Sequence, residues 1–297
     1  MDTHMICGFC GHEMPRMPCC PHCARPAAAY PNVCAAEDAK EKEELENRYN
    51  AAASQAEKNA CSHIFQQFEE QVGANSCAVI AKNLGEAISL LGSDNVILLT
   101  YYKKLKAGML LPIDDEINRY RKCSEEFLFP DFKEDIHFAA LALDNFGVKN
   151  YAIFESGLFG DIETHLTLDE EMIAHRTTVF ERNNVIWLKV LDPSVSKLVD
   201  YPKGFRAVWE DRGKIAAVKT VQHFKPNTDP GEFPELLLKQ GDDKESDDFI
   251  EAHIFGSISR HTLKRVVIKS QKRKTRALMM DMAIEKARNS GLEIEVL

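Results

Sequence analysis

The spacing of hydrophobic and polar positions changes near residue 74. Residues 36–72 contain neither proline nor glycine, are rich in alanine, glutamate and lysine, and carry one apolar stripe at helical spacing. This pattern predicts one long helix or two. Short apolar runs of strand length follow, beginning with residues 77–81, and segments with helical periodicity lie between them.

The segments after residue 74 predict strands and helices in irregular order. Strands are predicted at 77–81, 95–102, 135–143, 164–169, 183–191, 205–210, 214–224 and 265–270. Helices are predicted at 83–91, 113–129 and 276–291. Irregular order favours an α+β fold. We therefore expect a small module at 1–35, a helical spacer rather than a partner-binding coiled coil at 36–74, and an α+β domain at 75–297.

Composition and charge exclude several classes of protein. With 44% hydrophobic and 28% charged residues, the chain is neither a disordered protein nor a fibrous rod. No apolar run reaches the roughly 18–20 residues of a membrane helix, and no secretory signal opens the sequence, so a cytoplasmic protein is expected. A net charge of −9 argues against a general nucleic-acid coat. The basic run at 270–276 suits either a nucleic-acid backbone or solvent.

Six of the nine cysteines lie within the first 34 residues. Cys7 and Cys10 form one CxxC pair, Cys20 and Cys23 form a second, and nine residues separate the pairs. Two such turns supply the four thiolates of a structural zinc site, and so short a segment needs metal to fold. We predict a zinc ribbon held by these four residues, with Cys19 as a substitute for Cys20. Redox or incidental cysteines are the alternative.

Motifs of the commonest enzyme classes are absent from the sequence. It contains neither GxGxxG nor GxxxxGK[ST], so a Rossmann dinucleotide site and a P-loop are not expected. HExxH and GxSxG are absent as well. Single carboxylates and histidines on predicted strands are the remaining candidates for catalysis.

Residues 247–268 contain a more informative pattern. Glu251 opens a predicted strand, Ile254 continues its apolar alternation, a turn follows at Gly256, and a second apolar strand covers residues 266–268. This segment resembles the catalytic-glutamate segment of ADP-ribosyltransferases, and it is most similar to the DarT-type toxins and other bacterial members of that superfamily.

Two further segments resemble the same family in the same chain order. Residues 162–187 resemble a stretch that precedes the glutamate. Residues 79–91 resemble the first strand and helix, where the family has an arginine or histidine that holds NAD. This chain has Ala81 and Lys82 there, which departs from the family pattern. The matching residues of the 162–187 segment are Arg176, Thr177, Thr178, Phe180 and Asn183.

The resemblance covers roughly residues 77–270 and implies a split-sheet, mixed and mainly antiparallel core in which Glu251 is the catalytic residue. A carboxylate beside the ribose of NAD would stabilise the oxocarbenium-like transition state and accept a proton from the nucleophile. A surface carboxylate at a strand start is the alternative. His253 falls on the same strand face by the period of two. The expected NAD-binding residues are Lys82, Tyr101, Phe138, Tyr151, Arg176 and Thr177.

Alternatives remain open for several of these residues. Arg176 suits a pyrophosphate group, but a surface ion pair explains it equally well. The aromatic residues suit stacking on nicotinamide, but core packing explains them too. His137 is interpreted as a core histidine.

Three functions are compatible with the sequence. The first is transfer of ADP-ribose from NAD to a macromolecule, with nucleic acid slightly favoured over protein as the acceptor. The resemblance then implies a bacterial toxin or phage-defence protein, with an antitoxin or another regulator as a partner. The second is a zinc-ribbon interaction protein with a non-catalytic α+β domain. The third is an NAD glycohydrolase.

Overall fold

The computed structural model describes residues 4–7, 10–15, 30–111, 116–143, 163–185, 202–239, 248–270 and 274–297. The helices are α1 (Pro31–Ala36), α2 (Ala39–Lys58), α3 (Ser62–Asn75), α4 (Leu84–Leu91), α5 (Tyr101–Lys106), α6 (Glu116–Leu128), α7 (Glu170–Ile173), α8 (Arg212–Thr220), α9 (Phe233–Leu237) and α10 (Lys274–Asn289). The strands are β1 (His4–Ile6), β2 (Glu13–Pro15), β3 (Ser76–Lys82), β4 (Ile136–Leu143), β5 (Thr164–Leu168), β6 (Thr177–Phe180), β7 (Arg206–Val208), β8 (Leu238–Lys239), β9 (Asp248–Phe249), β10 (Glu251–Phe255), β11 (Leu263–Ile268) and β12 (Glu293–Val296).

One mixed sheet organises the fold. Eight of the described strands form it, in the order β12-β11-β5-β3-β4-β10-β6-β7. Only the pair of β11 and β12 is parallel, and the other six neighbouring pairs are antiparallel. The predicted α+β class with a mixed, mainly antiparallel sheet is therefore confirmed. The eight strands are continuously paired, and β10 lies between β4 and β6 in the interior of the sheet.

The main hydrophobic core lies on one face of the sheet, under the helices. Ile254 of β10 and Leu166 of β5 face this core, together with Phe68 of α3 and Leu45 of α2. Helices α2 and α3, which the sequence predicts as a spacer, thus bury their apolar stripe against the same core as the sheet. Burial of apolar surface in this core makes the main stabilising contribution to the folded state. The domain limits at 1–35, 36–74 and 75–297 stay predictions from the sequence.

The long polar pattern forms two helices rather than one. Asp38 caps α2, because its side chain accepts hydrogen bonds from the backbone N–H groups of Lys40 and Glu41. The break before α3 occurs at Ala60, whose φ of 55° lies in the left-handed region. Cys61 N then donates to Ala56 O at 2.7 Å and closes the end of α2. None of the helices in the described ranges is long and apolar enough to cross a membrane.

Two predicted strands are helical or irregular in the structure. Residues 95–102 form only an isolated bridge between Ile97 and Ser259, and Thr100 then caps α5 by accepting from Lys103 N. Most of 214–224 belongs to α8, in which residues 215–218 are all buried. Because α8 is buried on nearly every side, its sequence lacks the polar stripe of a surface helix. Its apolar run therefore resembles that of a buried strand. The predicted strand at 183–191 falls largely outside the described residues.

Candidate active site around Glu251

Glu251 is the first residue of the interior strand β10. It lies opposite Ala140 of β4 on one side and Phe180 of β6 on the other. Only 6% of its surface is exposed. A carboxylate in this position loses most of its hydration, which is costly unless protein donors replace the water. The surroundings of Glu251 therefore decide whether it can work as a charged group.

Three hydrogen bonds hold one oxygen of the Glu251 carboxylate. Its Oε2 accepts from the backbone N of Asn184 at 3.1 Å, from Asn184 Nδ2 at 2.9 Å and from His253 Nε2 at 2.9 Å. Hydrogen bonds to a carboxylate are among the strongest in proteins. No residue in the described ranges donates to the other oxygen, Oε1. Within the described ranges, hydrogen bonds therefore fix one of the two carboxylate oxygens.

Aromatic rings surround His253, which lies two residues further along the same face of β10. The centroid of its ring lies 4.9 Å from that of Phe129, 5.3 Å from that of Phe138 and 5.7 Å from that of Phe180. The Phe129 and Phe138 rings meet it edge to face, and the Phe180 ring stacks on it. Only 1% of His253 is exposed. These contacts fix the direction in which the imidazole points.

Asn184 lies after β6 at the start of a helical turn, and two interactions hold this segment. Ser124 Oγ of α6 donates to the Asn184 carbonyl oxygen at 2.9 Å. The side chain of Asn183 accepts from Val185 N at 3.0 Å and so stabilises the turn. Helix α6 thereby fixes the segment that supplies two of the three donors to Glu251.

A second buried carboxyl group lies close to Glu251. Glu125 of α6 is only 2% exposed. Its pKa is raised from 4.5 to about 8, chiefly by burial and also by the negative charge of Glu251, while Tyr102, Arg121 and Lys133 oppose the shift. Its Oε2 atom and the hydroxyl of Tyr102 are both buried, and the two side chains interact. Burial and the charge of Glu125 raise the pKa of Tyr102 as well. A pKa of about 8 favours the protonated form of Glu125 at neutral pH.

Of the predicted NAD-binding residues, Phe138 lies at this site, and Tyr101 lies against α6. Phe138 is on the same sheet face as Glu251 and contacts the His253 ring. Tyr101 belongs to α5 and packs against α6. Its hydroxyl lies 3.2 Å from Asn118 Oδ1, and the Arg121 guanidinium lies 4.7 Å from the centroid of its ring. Tyr151 lies outside the described residues. Their role in binding NAD stays a prediction.

Lys82 and Thr177 lie on the other side of the sheet. Val79 is opposite Ala140, in line with Glu251, so strand alternation directs Lys82 to the opposite face. There its ammonium lies 3.9 Å from Glu86, and burial lowers its pKa. Thr177 is fully buried, and its hydroxyl donates to the Ile173 carbonyl oxygen at 2.7 Å. The structure does not bring these side chains next to Glu251.

Arg176 lies near the far end of β10 from Glu251. Its Nη1 donates to the carbonyl oxygen of Phe255 at 2.5 Å, and its Nε donates to that of Met172 at 3.2 Å. Burial lowers its pKa. The guanidinium thus ties β10 to the segment before β6. Like Lys82 and Thr177, it stays a prediction as an NAD ligand.

Two of the four predicted zinc ligands are in the described part of the chain. Cys7 and Cys10 lie in the turn between β1 and β2, where Gly11 N donates to Cys7 O at 3.0 Å. Gly11 has a φ of 68°, so this turn uses the conformational freedom of glycine. Cys20 and Cys23 lie outside the described residues. Within the described ranges, no group of three or more His, Cys, Asp or Glu side chains is placed to hold a metal ion.

Asn184 and Glu125 were not identified from the sequence as site residues. Asn184 is next to Asn183, which the family-like pattern singles out, so the motif pointed to the right turn and to the neighbouring side chain. Glu125 lies in a helix with ordinary polar periodicity, and nothing in that pattern distinguishes it from Glu126, whose side chain is 46% exposed. Only the packing of α6 against the sheet buries one and leaves the other exposed.

Solved structures similar to this chain include two of DarT. No protein-family model matches the chain, and no curated protein matches it. A structure of DarT from Thermus sp. 2.9 in complex with ADP-ribosylated single-stranded DNA is 10% identical, with a TM-score of 0.39 over 74% of this chain and 93% of that one. A structure of Thermus sp. 2.9 DarT in complex with NAD+ is 11% identical, with a TM-score of 0.33 over 74% of this chain and 94% of that one.

Proposed function

We propose that this chain transfers ADP-ribose from NAD to a macromolecule, with Glu251 as the catalytic residue. The observation that carries the proposal is the state of its carboxylate, which is buried on an interior strand with Oε2 held by three donors and Oε1 without a donor from the described residues. Such a group is positioned before the substrate arrives, as electrostatic stabilisation of a transition state requires. The resemblance of residues 247–268 to the catalytic segment of ADP-ribosyltransferases supports the same role.

The proposed chemistry uses Glu251 in two ways. When the bond between the ribose C1′ and the nicotinamide nitrogen breaks, nicotinamide leaves with the bonding electrons and positive charge develops on the ribose. Oε1 of Glu251 stabilises that charge, and it can hydrogen-bond a ribose hydroxyl. The acceptor then forms a bond to C1′, and its proton passes to the carboxylate. Phe138, on the same sheet face, is the candidate for stacking on nicotinamide.

Nucleic acid is the favoured acceptor, and protein is the alternative. The preference rests on the DarT-like character of the Glu251 segment and on the proposed zinc ribbon, because such modules often contact nucleic acid. A role as a bacterial toxin or phage-defence protein in the cytoplasm, with an antitoxin or another regulatory partner, belongs to the same proposal. A structural zinc at Cys7, Cys10, Cys20 and Cys23 is proposed as well, and the tight turn that carries the first two cysteines suits it.

Labelled NAD tests the function and separates the alternatives. The protein is incubated with NAD labelled on its adenylate phosphate, together with single-stranded DNA, RNA or a protein extract. Label in a macromolecule supports transfer, free ADP-ribose alone indicates a glycohydrolase, and no turnover indicates a non-catalytic domain. Label in protein rather than in DNA or RNA would overturn the preference for nucleic acid.

Glu251→Gln is expected to lower transfer about 100-fold or more, because it removes the charge that stabilises the transition state. Glutamine has almost the same volume, so the variant should unfold at the temperature of the wild type. Glu235→Gln, at an exposed position of α9, is the matched control and should leave the rate unchanged. A folded Glu251→Gln protein with the wild-type rate would refute the role of Glu251.

A further inference from the structure

The imidazole of His253 occupies a place where packing alone favours an apolar side chain. Three phenylalanine rings contact its ring. The centroid distances are 4.9 Å for Phe129, which follows α6, 5.3 Å for Phe138 of β4 and 5.7 Å for Phe180 of β6. Burying a polar ring among such neighbours costs free energy unless its N–H groups find partners. The partner of Nε2 is the Glu251 carboxylate at 2.9 Å. A leucine or methionine would fill this space without that requirement.

We propose that His253 is a positioning residue for Glu251, which it holds by donating a hydrogen bond from Nε2 to Oε2. The inference rests on the proposed function of Glu251. Because the Glu251 carboxylate offers only acceptors, Nε2 must carry the proton. The two donors of Asn184 come from the start of a helical turn after β6, whereas His253 belongs to the same strand as Glu251. His253 therefore fixes the carboxylate relative to the sheet itself.

The backbone of His253 is held in addition to its ring. Asn32 of α1 is 2% exposed, and its Nδ2 donates to the carbonyl oxygens of both His253 and Arg176 at 3.0 Å. The phenylalanine rings thus fix the imidazole ring of His253, and Asn32 fixes its main chain. The imidazole ring in turn fixes the Glu251 carboxylate. With Oε2 fixed in this way, the direction of Oε1 is fixed too, because the carboxylate is planar. An orientation set in advance lowers the cost of reaching the transition state.

Two substitutions distinguish positioning from packing. His253→Leu keeps the ring pocket filled and removes the donor, and His253→Gln keeps an N–H close to the position of Nε2. We measure nicotinamide release from NAD, which needs no knowledge of the acceptor. His253→Leu should lower kcat roughly 10- to 100-fold, the range expected for one hydrogen bond to a charged group, and leave the KM for NAD nearly unchanged. His253→Gln should restore most of the rate.

The control substitution is Ile254→Val, which alters the opposite face of the same strand. It lies in the main core, so it should lower the unfolding temperature without lowering kcat. A wild-type kcat in folded His253→Leu would overturn the proposal. Equal losses in His253→Gln and His253→Leu would overturn it as well, because donation of a hydrogen bond would then not be what His253 supplies.

A spectroscopic test does not depend on activity. In protein labelled with 15N at histidine, the Nε2 proton of His253 should give a slowly exchanging, downfield signal that moves upfield in Glu251→Ala. Absence of that change would overturn the hydrogen bond even if the leucine variant did not fold. If Glu251→Gln keeps full activity, the proposed function fails. If Glu251→Gln is inactive but His253→Leu is fully active, only the role of His253 fails.

Discussion

Replacing Glu125 by glutamine should stabilise the folded protein at neutral pH. Its carboxyl group has a pKa of about 8 in the fold, against an ordinary value of 4.5. Between these two pH values the folded protein keeps a proton that the unfolded chain has already released. The free energy of unfolding contributed by this group therefore falls as the pH rises through that window, and the loss is complete above pH 8. Glutamine does not titrate, so the free energy of unfolding of the variant does not fall with pH for this reason.

The expected size follows from the difference in pKa. Each pH unit between the two values costs the folded state about 1.4 kcal/mol. At pH 7 the wild type has therefore lost about 3 kcal/mol relative to its stability at the unfolded-state pKa. The gain from Glu125→Gln is expected to be about 1–3 kcal/mol, because the buried amide must also satisfy an additional N–H group.

Urea unfolding at several pH values between 5 and 8 measures this effect. The difference in the free energy of unfolding between Glu125→Gln and the wild type should grow steadily with pH. Glu126→Gln, on the next residue of α6 and largely exposed, is the matched control and should follow the wild type at every pH. If the difference between Glu125→Gln and the wild type is the same at pH 5 and pH 8, Glu125 is not protonated in the fold and the reasoning is refuted.

Two further predictions concern the segment before the sheet. Asn32→Ala should lower the free energy of unfolding by about 1–3 kcal/mol, because two buried carbonyl groups lose their donor; Asn50→Ala, at an exposed site of α2, should change it little in the same urea titration. Metal analysis should find one zinc per chain, lost in Cys20→Ser with Cys23→Ser and kept in Cys34→Ser; zinc well below one per wild-type chain would contradict this.

The sequence by itself determined the elements whose pattern is local. Apolar runs of strand length predicted β3 and β4 close to their observed limits, and helical periodicity predicted α4, α6 and α10. The strand that opens at Glu251 was predicted from its motif, and β10 begins at that residue. These elements were predictable because a strand buried on both faces needs a continuous apolar run, and a helix packed on one side needs an apolar stripe at helical spacing.

The wrong predictions concern elements whose conformation is determined by tertiary packing. In α8 the residues around Ala216 are buried on all sides, so periodicity could not distinguish helix from strand. Gly213 lets this helix approach α3 closely, since a Cβ there would collide with the carbonyl oxygen of Glu69. That contact depends on two segments far apart in the chain.

The site itself depends on the tertiary structure in the same way. Asn184 and Glu251 are 67 residues apart, and only the pairing of β6 with β10 brings the donors to the carboxylate. Glu125 is an ordinary helical glutamate in the sequence, and it retains its proton at neutral pH only because folding removes it from water beside a second carboxylate. The sequence supplies the chemical groups, while burial and distance, which determine their charge and orientation, exist only in the folded protein.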